Sequence, residues 1–333
     1  MSGAGEEVVT AEEAGARLDR WIKRRASLTQ GEIEKLLRTG DVRVDGTKVK
    51  ANHRLQLGET VRLPPAITKP AVSAKPARSR PTDAADAEFL RGLIIHEDDE
   101  MIALNKPAGL AVQGGTRQGR HIDGLTEALS HKGHRPRLVH RLDKDTSGVL
   151  VLARTPAAAA RLGNLFRGRD IQKVYWAVTV GVPSPREGQV RSWMVKGTGR
   201  GEQKEMMRAA RQGEPGARHA ITDYVLVSQA AQRAAWLALK PETGRTHQLR
   251  FHMQEIGTAI LGDRKYKTAR EVPTGCAPGL HLHARALVLP GGAATGRRRP
   301  LTLTAPLPPH MAQTFNTLGF IESEAGTDPL ALF

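Results

Sequence analysis

Apolar positions along this 333-residue chain change period more than once. Between Arg17 and Leu63 they read as one small module. Leu18 and Ile22 share a helical face, and Ser27 to Arg38 predicts a second helix. Thr29-x-x-Glu32 forms a capping box at its start, and Ile33, Leu36 and Leu37 make its apolar stripe. Gly40 ends that helix. Val42 and Val44 then alternate into an Asp45-Gly46 hairpin turn with Val49 returning, and Leu55, Leu57, Val61 and Leu63 supply the last strand. Residues 1–16 are expected to be a flexible N-terminus. Residues 64–88, rich in Pro, Ala and Lys with little apolar periodicity, predict a linker.

From Phe89 to about residue 325 the pattern becomes strand-rich. Short apolar runs recur at Leu93–Ile95, Met101–Leu104, Val149–Leu152, Val174–Val180, Tyr224–Val227, Trp236–Leu239, Leu287–Leu289 and Leu301–Leu303. Helical spacing appears at Gly124–Ser130, Ala157–Phe166 and His247–Ile256. The mixture predicts an α+β domain around a large antiparallel or mixed sheet, preceded by the small α/β module. Lys196 to Ala217 is polar and basic, a surface loop or hairpin excursion. Its Lys196-Gly-Thr-Gly-Arg-Gly201 lacks the spacing of a P-loop or dinucleotide fingerprint, so no nucleotide cofactor is expected.

Charge narrows the partner. Lysine and arginine number 50 against 34 acidic residues, a net +16, which points to nucleic acid. No run of ~18 apolar residues suggests a membrane span. One cysteine, Cys276, excludes an internal disulfide and a cysteine-based zinc cage, and a reducing cytoplasm is the expected compartment. His247 and His252 are five apart, and His281 and His283 alternate on a strand without a carboxylate beside them. No metal is expected. Ser147 lies outside any Gly-x-Ser-x-Gly context.

The chemistry concentrates in Leu138-Val-His140-Arg141-Leu-Asp143-Lys-Asp145-Thr-Ser-Gly148, followed by the apolar run Val149 to Ala153. Asp143 is thereby placed at the mouth of a core strand, among His140, Arg141 and Lys144. From the residues alone it is a nucleophile, a general base or half of an ion pair, of which the last is commonest. Asp145, inside a turn signal, reads as a turn-stabilising side chain.

The block His140-Arg141-Leu142-Asp143-x-x-Thr146-Ser147-Gly148 resembles the signature of the RluA-type ribosomal RNA pseudouridine synthases. Leu104-Asn-Lys106-Pro107-Ala-Gly109, Lys173-Val-Tyr175-Trp-Ala177 and Thr243-Gly-Arg245-Thr-His247-Gln-Leu-Arg250-Phe-His252 are similar to that family in the same order. So are Ile260-Leu-Gly262-Asp263-Arg-Lys-Tyr266 and Leu280-His281-Leu-His283-Ala284. Gln113-Gly-Gly115-Thr and Gly119-Arg-His-Ile-Asp123-Gly resemble the RluC-like branch. The N-terminal module resembles the S4-like RNA-binding domain through Arg17-Leu18-Asp19 and Gly40-Asp-Val-Arg-Val-Asp-Gly46. Arg17, Lys23, Arg24, Lys35, Arg38 and Arg43 are its candidate RNA contacts.

The resemblance implies isomerisation of uridine to pseudouridine, in which the N1–C1′ glycosidic bond breaks and a C5–C1′ bond forms. Nothing is oxidised, and no cofactor is expected. It assigns the nucleophile to Asp143, and to Tyr175 both packing on the base and removal of the C5 proton. An arginine on the Asp143 carboxylate falls on Arg250, with Arg245 the alternative. Arg141 fits either the space left by an extruded base or a phosphate. His140, Arg245 and His247 are further substrate contacts, and Lys106 shapes the pocket floor without a chemical step. Large-subunit ribosomal RNA, free or in an assembling particle, is the expected partner, and a monomer the expected state. The alternatives are a synthase for another RNA such as tRNA, and a non-catalytic RNA-binding assembly factor. A pure binder, however, has no need of the Asp143 carboxylate.

Overall fold

The computed structural model describes the whole chain except residues 1–4, 11–12, 27, 65–83, 115–119, 132, 198–205, 293–294 and 296. Most of the expected linker, and the centre of the RluC-like stretch, lie outside the described residues. The chain divides into two compact units, Met1–Pro81 and Thr82–Phe333.

The small unit contains β1 (Gly5–Val8), α1 (Leu18–Arg25), α2 (Gln30–Thr39), β2 (Arg43–Val44) and β3 (Thr60–Leu63), with sheet order β1-β3-β2. The capping box of α2 is present. The Thr29 N–H donates to Glu32 Oε2 at 2.7 Å and the Glu32 N–H to Thr29 Oγ1 at 3.4 Å. Gly40 closes the helix with φ 85°, and Asp45 and Gly46 both take positive φ, as a primed hairpin turn requires. Val49 does not return as a strand; β2 pairs with β3 instead. Leu18, Trp21, Ile22, Ile33, Val61 and Leu63 are fully buried together.

The described part of residues 1–16 departs from the flexible lead its polar sequence suggests. Residues Gly5–Val8 pair antiparallel with β3. Arg25 stacks on Trp21 at 3.5 Å and binds Glu7 at 2.6 Å and Glu13 at 2.7 Å. Apolar periodicity misses such a strand, because its side chains are held by charge rather than by burial.

The large unit contains α3 (Ala84–Gly92), β4 (Ile94–Glu97), β5 (Met101–Lys106), α4 (Ile122–Leu125), β6 (Arg137–Leu138), β7 (Ser147–Ala153), α5 (Pro156–Gly168) and β8 (Gln172–Val180). These are followed by β9 (Glu187–Lys196), β10 (Met207–Ala210), β11 (Arg218–Ala230), β12 (Ala234–Pro241), α6 (Gln248–Glu255), β13 (Leu282–Leu289), β14 (Leu301–Thr304) and α7 (Pro309–Leu318). Its start precedes Phe89, since α3 begins at Ala84 inside the expected linker. Its end passes residue 325, since Leu330 and Leu332 pack on the core. One mixed sheet of eleven strands runs β10-β9-β11-β12-β8-β13-β7-β5-β4, with β14 beside β13 and β6 beside β7.

Both faces of the central strands are covered. Val149 and Val151 of β7 pack with Leu162 and Leu165 of α5. Leu150 and Leu152 face Leu90 of α3 and Ile122 and Leu125 of α4. Trp176 and Trp236 pack with Phe315 of α7, while Ala177, Leu237 and Leu239 pack with Leu249 and Met253 of α6. Two-sided burial explains the continuous apolar run Val149–Ala153.

Among the described residues the only parallel strand pairing in the large sheet joins β13 to β7 through Ser147 and Gly148, and it determines the residue at position 148. Gly148 has φ 110°, and a Cβ there would lie 2.2 Å from the Ala284 carbonyl oxygen. Gly148→Ala is expected to cost more than ~3 kcal/mol, from backbone strain and overlap together. Chemical denaturation of the variant, reading the midpoint at an unchanged slope, measures it.

Candidate active site

A cleft of about 640 Å³ gathers the sequence-derived candidates. Asp143, Tyr175, Arg250, His140, Arg141, Arg245 and His247 all line it, although they come from the segment before β7, from β8, and from the β12–α6 junction. Lys106 does not.

Asp143 sits on a turn anchored from several sides. The Thr146 N–H donates to the Asp143 carbonyl at 3.2 Å, and the Gly109 N–H to the Lys144 carbonyl at 2.9 Å. Lys106, fully buried, donates to the carbonyls of Pro107 and Leu110 at 2.8 Å and of Lys144 at 2.9 Å. Burial pushes its amine down to about 7, with Asp145 and Asp143 pulling the other way. Three carbonyls require three N–H donors, so the ammonium fills this cage. Lys106 is thus a brace for the loop, not a wall of the cleft. Asp145 is exposed and acts through its charge beside that ammonium.

His140 is the second anchor. Its Nε2 accepts the Val151 N–H at 2.8 Å, and its ring stacks on Phe166 at 4.2 Å. Burial and the Lys173 charge hold the imidazole down at about 3. It is therefore neutral, with one nitrogen committed to the backbone, and ties the loop to β7 rather than serving primarily as a substrate ligand. Ser147 continues the anchoring. Its hydroxyl donates to His283 Nδ1 at 2.9 Å when His283 Nε2 donates to the Ala305 carbonyl at 3.2 Å. Burial keeps His283 neutral, at about 4, as this tautomer demands. Among the described residues no group of three or more His, Cys, Asp or Glu is placed to hold a metal ion.

The arginine assignment is corrected. Arg250 Nε and Nη2 donate to the two carboxylate oxygens of Asp263, each at 2.6 Å, with both side chains buried. Asp263 also accepts the N–H groups of Lys265 at 2.8 Å and Tyr266 at 3.0 Å. Burial lowers the Arg250 pKa, and Asp263 and then Asp143 more than offset this, so Asp143 is within reach of the guanidinium charge but not its hydrogen-bond partner. Arg245 is exposed and its Nε donates to the His219 carbonyl at 3.2 Å. The bidentate, buried geometry on Asp263 outcompetes a half-exposed carboxylate.

His247 faces Asp143 instead, its Nε2 3.8 Å from Asp143 Oδ2. It caps α6 in the left-handed region with φ 54°. The Met207 N–H donates to Tyr266 Oη at 2.7 Å, and Tyr266 Oη lies 3.1 Å from His247 Nδ1. A hydroxyl donating to Nδ1 leaves the Nε2 proton directed at Asp143. Burial lowers the His247 pKa against the pull of Asp143. Asp263 and Tyr266 lie in a segment that carried the family resemblance but whose sequence specifies no role.

Tyr175 is half-buried between the α6 and α4 sides of the core and opens onto the cleft. Burial, then the Asp143 charge, push its phenol well up, so the hydroxyl carries its proton at neutral pH. Lys173, two residues earlier on the same face of β8, is lowered by burial and stands over Phe166 at 5.5 Å. The cleft can therefore hold a planar ring against Tyr175 with a carboxylate, a phenol and several cations around it.

In the small unit Lys23, Arg24, Lys35 and Arg38 are exposed. Arg17 is engaged by Asp19 at 2.6 Å, and Arg43 by the carbonyls of Gly40 and Gly46 at 3.1 Å each.

Removing the Arg250 guanidinium strands a buried carboxylate. Arg250→Met is expected to cost about 3–5 kcal/mol, and Arg250→Met with Asp263→Asn less than the sum of the two separate losses. A double-mutant cycle on thermal stability checks this.

Residues 100–255 match the RNA pseudouridylate synthase family. The chain is 37% identical over 264 residues to a ribosomal large subunit pseudouridine synthase C of Rickettsia typhi, covering 77% of this chain and 84% of that one. It is 32% identical over 314 residues to the Vibrio cholerae protein of the same name, covering 92% and 94%. A human RNA pseudouridylate synthase domain-containing protein 4 superposes with a TM-score of 0.58 at 32% identity, over 70% of this chain and 95% of that one. The chain belongs to the RNA pseudouridylate synthase family and is an enzyme that makes pseudouridine from uridine in RNA.

Proposed function

We propose that the substrate is large-subunit ribosomal RNA and that Asp143 is the nucleophile. The convergence of Asp143, Tyr175 and His247 in one cleft, with Arg250 close by, carries this reading. The carboxylate bonds to C1′ as the N1–C1′ bond breaks and uracil leaves as its N1 anion. The detached uracil turns against Tyr175, C5 bonds to C1′ and displaces the carboxylate, and loss of the C5 proton with protonation of N1 restores the aromatic base. Arg141, exposed beside the nucleophile turn, meets the extruded nucleotide or its phosphate. The relatives named for the large ribosomal subunit support the choice of RNA.

Pseudouridine mapping of ribosomal RNA from a strain lacking the protein tests the reading. At least one large-subunit position is expected to lose its signal and regain it with the wild-type gene but not with Asp143→Asn. An unchanged large-subunit map, or loss confined to transfer RNA, overturns it.

The small unit acts as an RNA clamp through Lys23, Arg24, Lys35 and Arg38. Replacing all four with Gln is expected to weaken RNA binding and to flatten its salt dependence by ~0.7 log–log units per lost contact to single-stranded RNA. Turnover at saturating RNA stays near wild type. Salt titrations of the full-length variant read both quantities.

A further inference from the structure

The outer wall of the cleft concentrates positive charge that no acidic side chain among the described residues pairs with. Arg169 follows the last turn of α5 in the left-handed region, with φ 71°. Arg245 leads into α6, and both line the cleft. The bond from Arg245 Nε to the His219 carbonyl, 3.2 Å long, holds this side chain at the start of β11. Arg218 is the first residue of that strand and shares a face with Ala220, which packs with Met194, Phe251 and Tyr266 on the α6 side. The three arginines are exposed, and none forms an ion pair among the described residues. Glu242, the other acidic residue of the cleft wall besides Asp143, is turned to Lys240 at 3.8 Å.

The electrostatics fit this arrangement. Burial, then the charges of Arg169 and Arg218, lower the Arg245 pKa. Like charges held together without a counter-ion repel, and the repulsion is relieved when an anion enters. Guanidinium groups do not escape by deprotonation, and their planar forks match phosphate oxygens. Carboxylate pairing is available nearby, as Arg250 and Asp263 show, yet these three lack it.

We propose that Arg169, Arg218 and Arg245 form one binding site for a single phosphodiester of the RNA strand flanking the target nucleotide. The identity of that strand rests on the RNA pseudouridine synthase reading. The site positions the backbone beside the cleft and reads no base. It thereby sets where the strand leaves the duplex path when the nucleotide is extruded.

Binding of a short oligouridylate to the full-length protein tests the site without requiring turnover. Arg169→Gln, Arg218→Gln, Arg245→Gln and the triple variant are compared with wild type across a salt series, with Arg233→Gln as a control remote from the cleft. Each single change is expected to weaken binding severalfold. The triple variant is expected to lose about 0.7 from the log–log salt slope, the value for one phosphate on a single strand. Arg233→Gln stays at the wild-type line. A triple loss near 2 means three separate contacts and overturns the shared site, and an unchanged slope and affinity overturns it outright. On an RNA fragment that the enzyme converts, methylphosphonates placed one linkage at a time then locate the phosphate. One linkage is expected to weaken wild-type binding about tenfold and to leave the triple variant unaffected. Equal sensitivity in both proteins overturns the proposal. Failure of every fragment to be converted counts against the large-subunit reading, while the oligouridylate result stands.

Discussion

Asp143→Asn is expected to abolish pseudouridine formation, by at least ~10⁴-fold or about 5.5 kcal/mol of barrier, while RNA still binds. The Asp143 carboxylate has His247 Nε2 as its nearest basic neighbour, at 3.8 Å, too far for a hydrogen bond. The turn beneath it is held by Lys106, Gly109 and Thr146 through main-chain carbonyls, and by His140 on the Val151 N–H. Asparagine keeps the volume and disturbs none of these, so folding should persist and a thermal melt should overlay wild type. Removing one negative charge from a basic cleft does not weaken attraction for RNA. What vanishes is the carboxylate oxygen pair that the proposed attack requires. Single-turnover conversion of a mapped substrate measures the loss. A rate within tenfold of wild type, ~1.4 kcal/mol, would leave Asp143 as a counter-charge for its cations. Asp145→Asn separates the two acids: its exposed carboxylate compensates the buried Lys106 ammonium, so this variant is expected to lose stability more than rate.

What could be read from the sequence follows from which interactions leave a local pattern. Strands β5, β7, β8 and β12 appear as apolar runs because helices cover them on both faces. Strands β9 and β10 leave almost none, since along β9 only Val190 and Met194 are buried. The same limit governs the site. Asp143, Tyr175 and the Arg245–Arg250 block stand in recognisable motifs. The roles of Lys106 and His140 depend on carbonyls and an N–H from other loops and strands, which no motif specifies. Arg250 illustrates this most clearly. Its block resembles a family pattern that points to the Asp143 carboxylate, yet Asp263, thirteen residues away in sequence, folds back to take both guanidinium donors. A motif places the arginine on α6, but the pairing depends on the turn that follows.

Tyr175→Phe is expected to slow turnover ~10²–10⁴-fold, the usual range for loss of a general acid or base, with little change in stability. The ring packs between two parts of the core, and phenylalanine preserves that packing. The hydroxyl is raised by burial and by the Asp143 charge, so it is a protonated phenol in the free enzyme and a weak base there. The proposed attack by Asp143 changes this for as long as the covalent bond lasts. While its oxygen is bonded to the nucleotide the carboxylate charge is gone, and with it the second cause of the raised pKa; the charge returns when C5 displaces that oxygen, before the C5 proton leaves. The hydroxyl is thus coupled to the progress of the reaction through one neighbour. In Tyr175→Phe the N1–C1′ bond should still break, because the proposed nucleophile, Asp143, is intact. RNA containing 5-fluorouridine, which has no C5 proton to lose, is expected to be processed by both proteins at similar rates. Normal RNA is expected to stall only in the variant, with a covalent or detached-base intermediate accumulating. Normal turnover together with a lower melting temperature would identify Tyr175 as a packing residue. Equal slowing on both RNAs would place its contribution in binding the base, before any proton is lost.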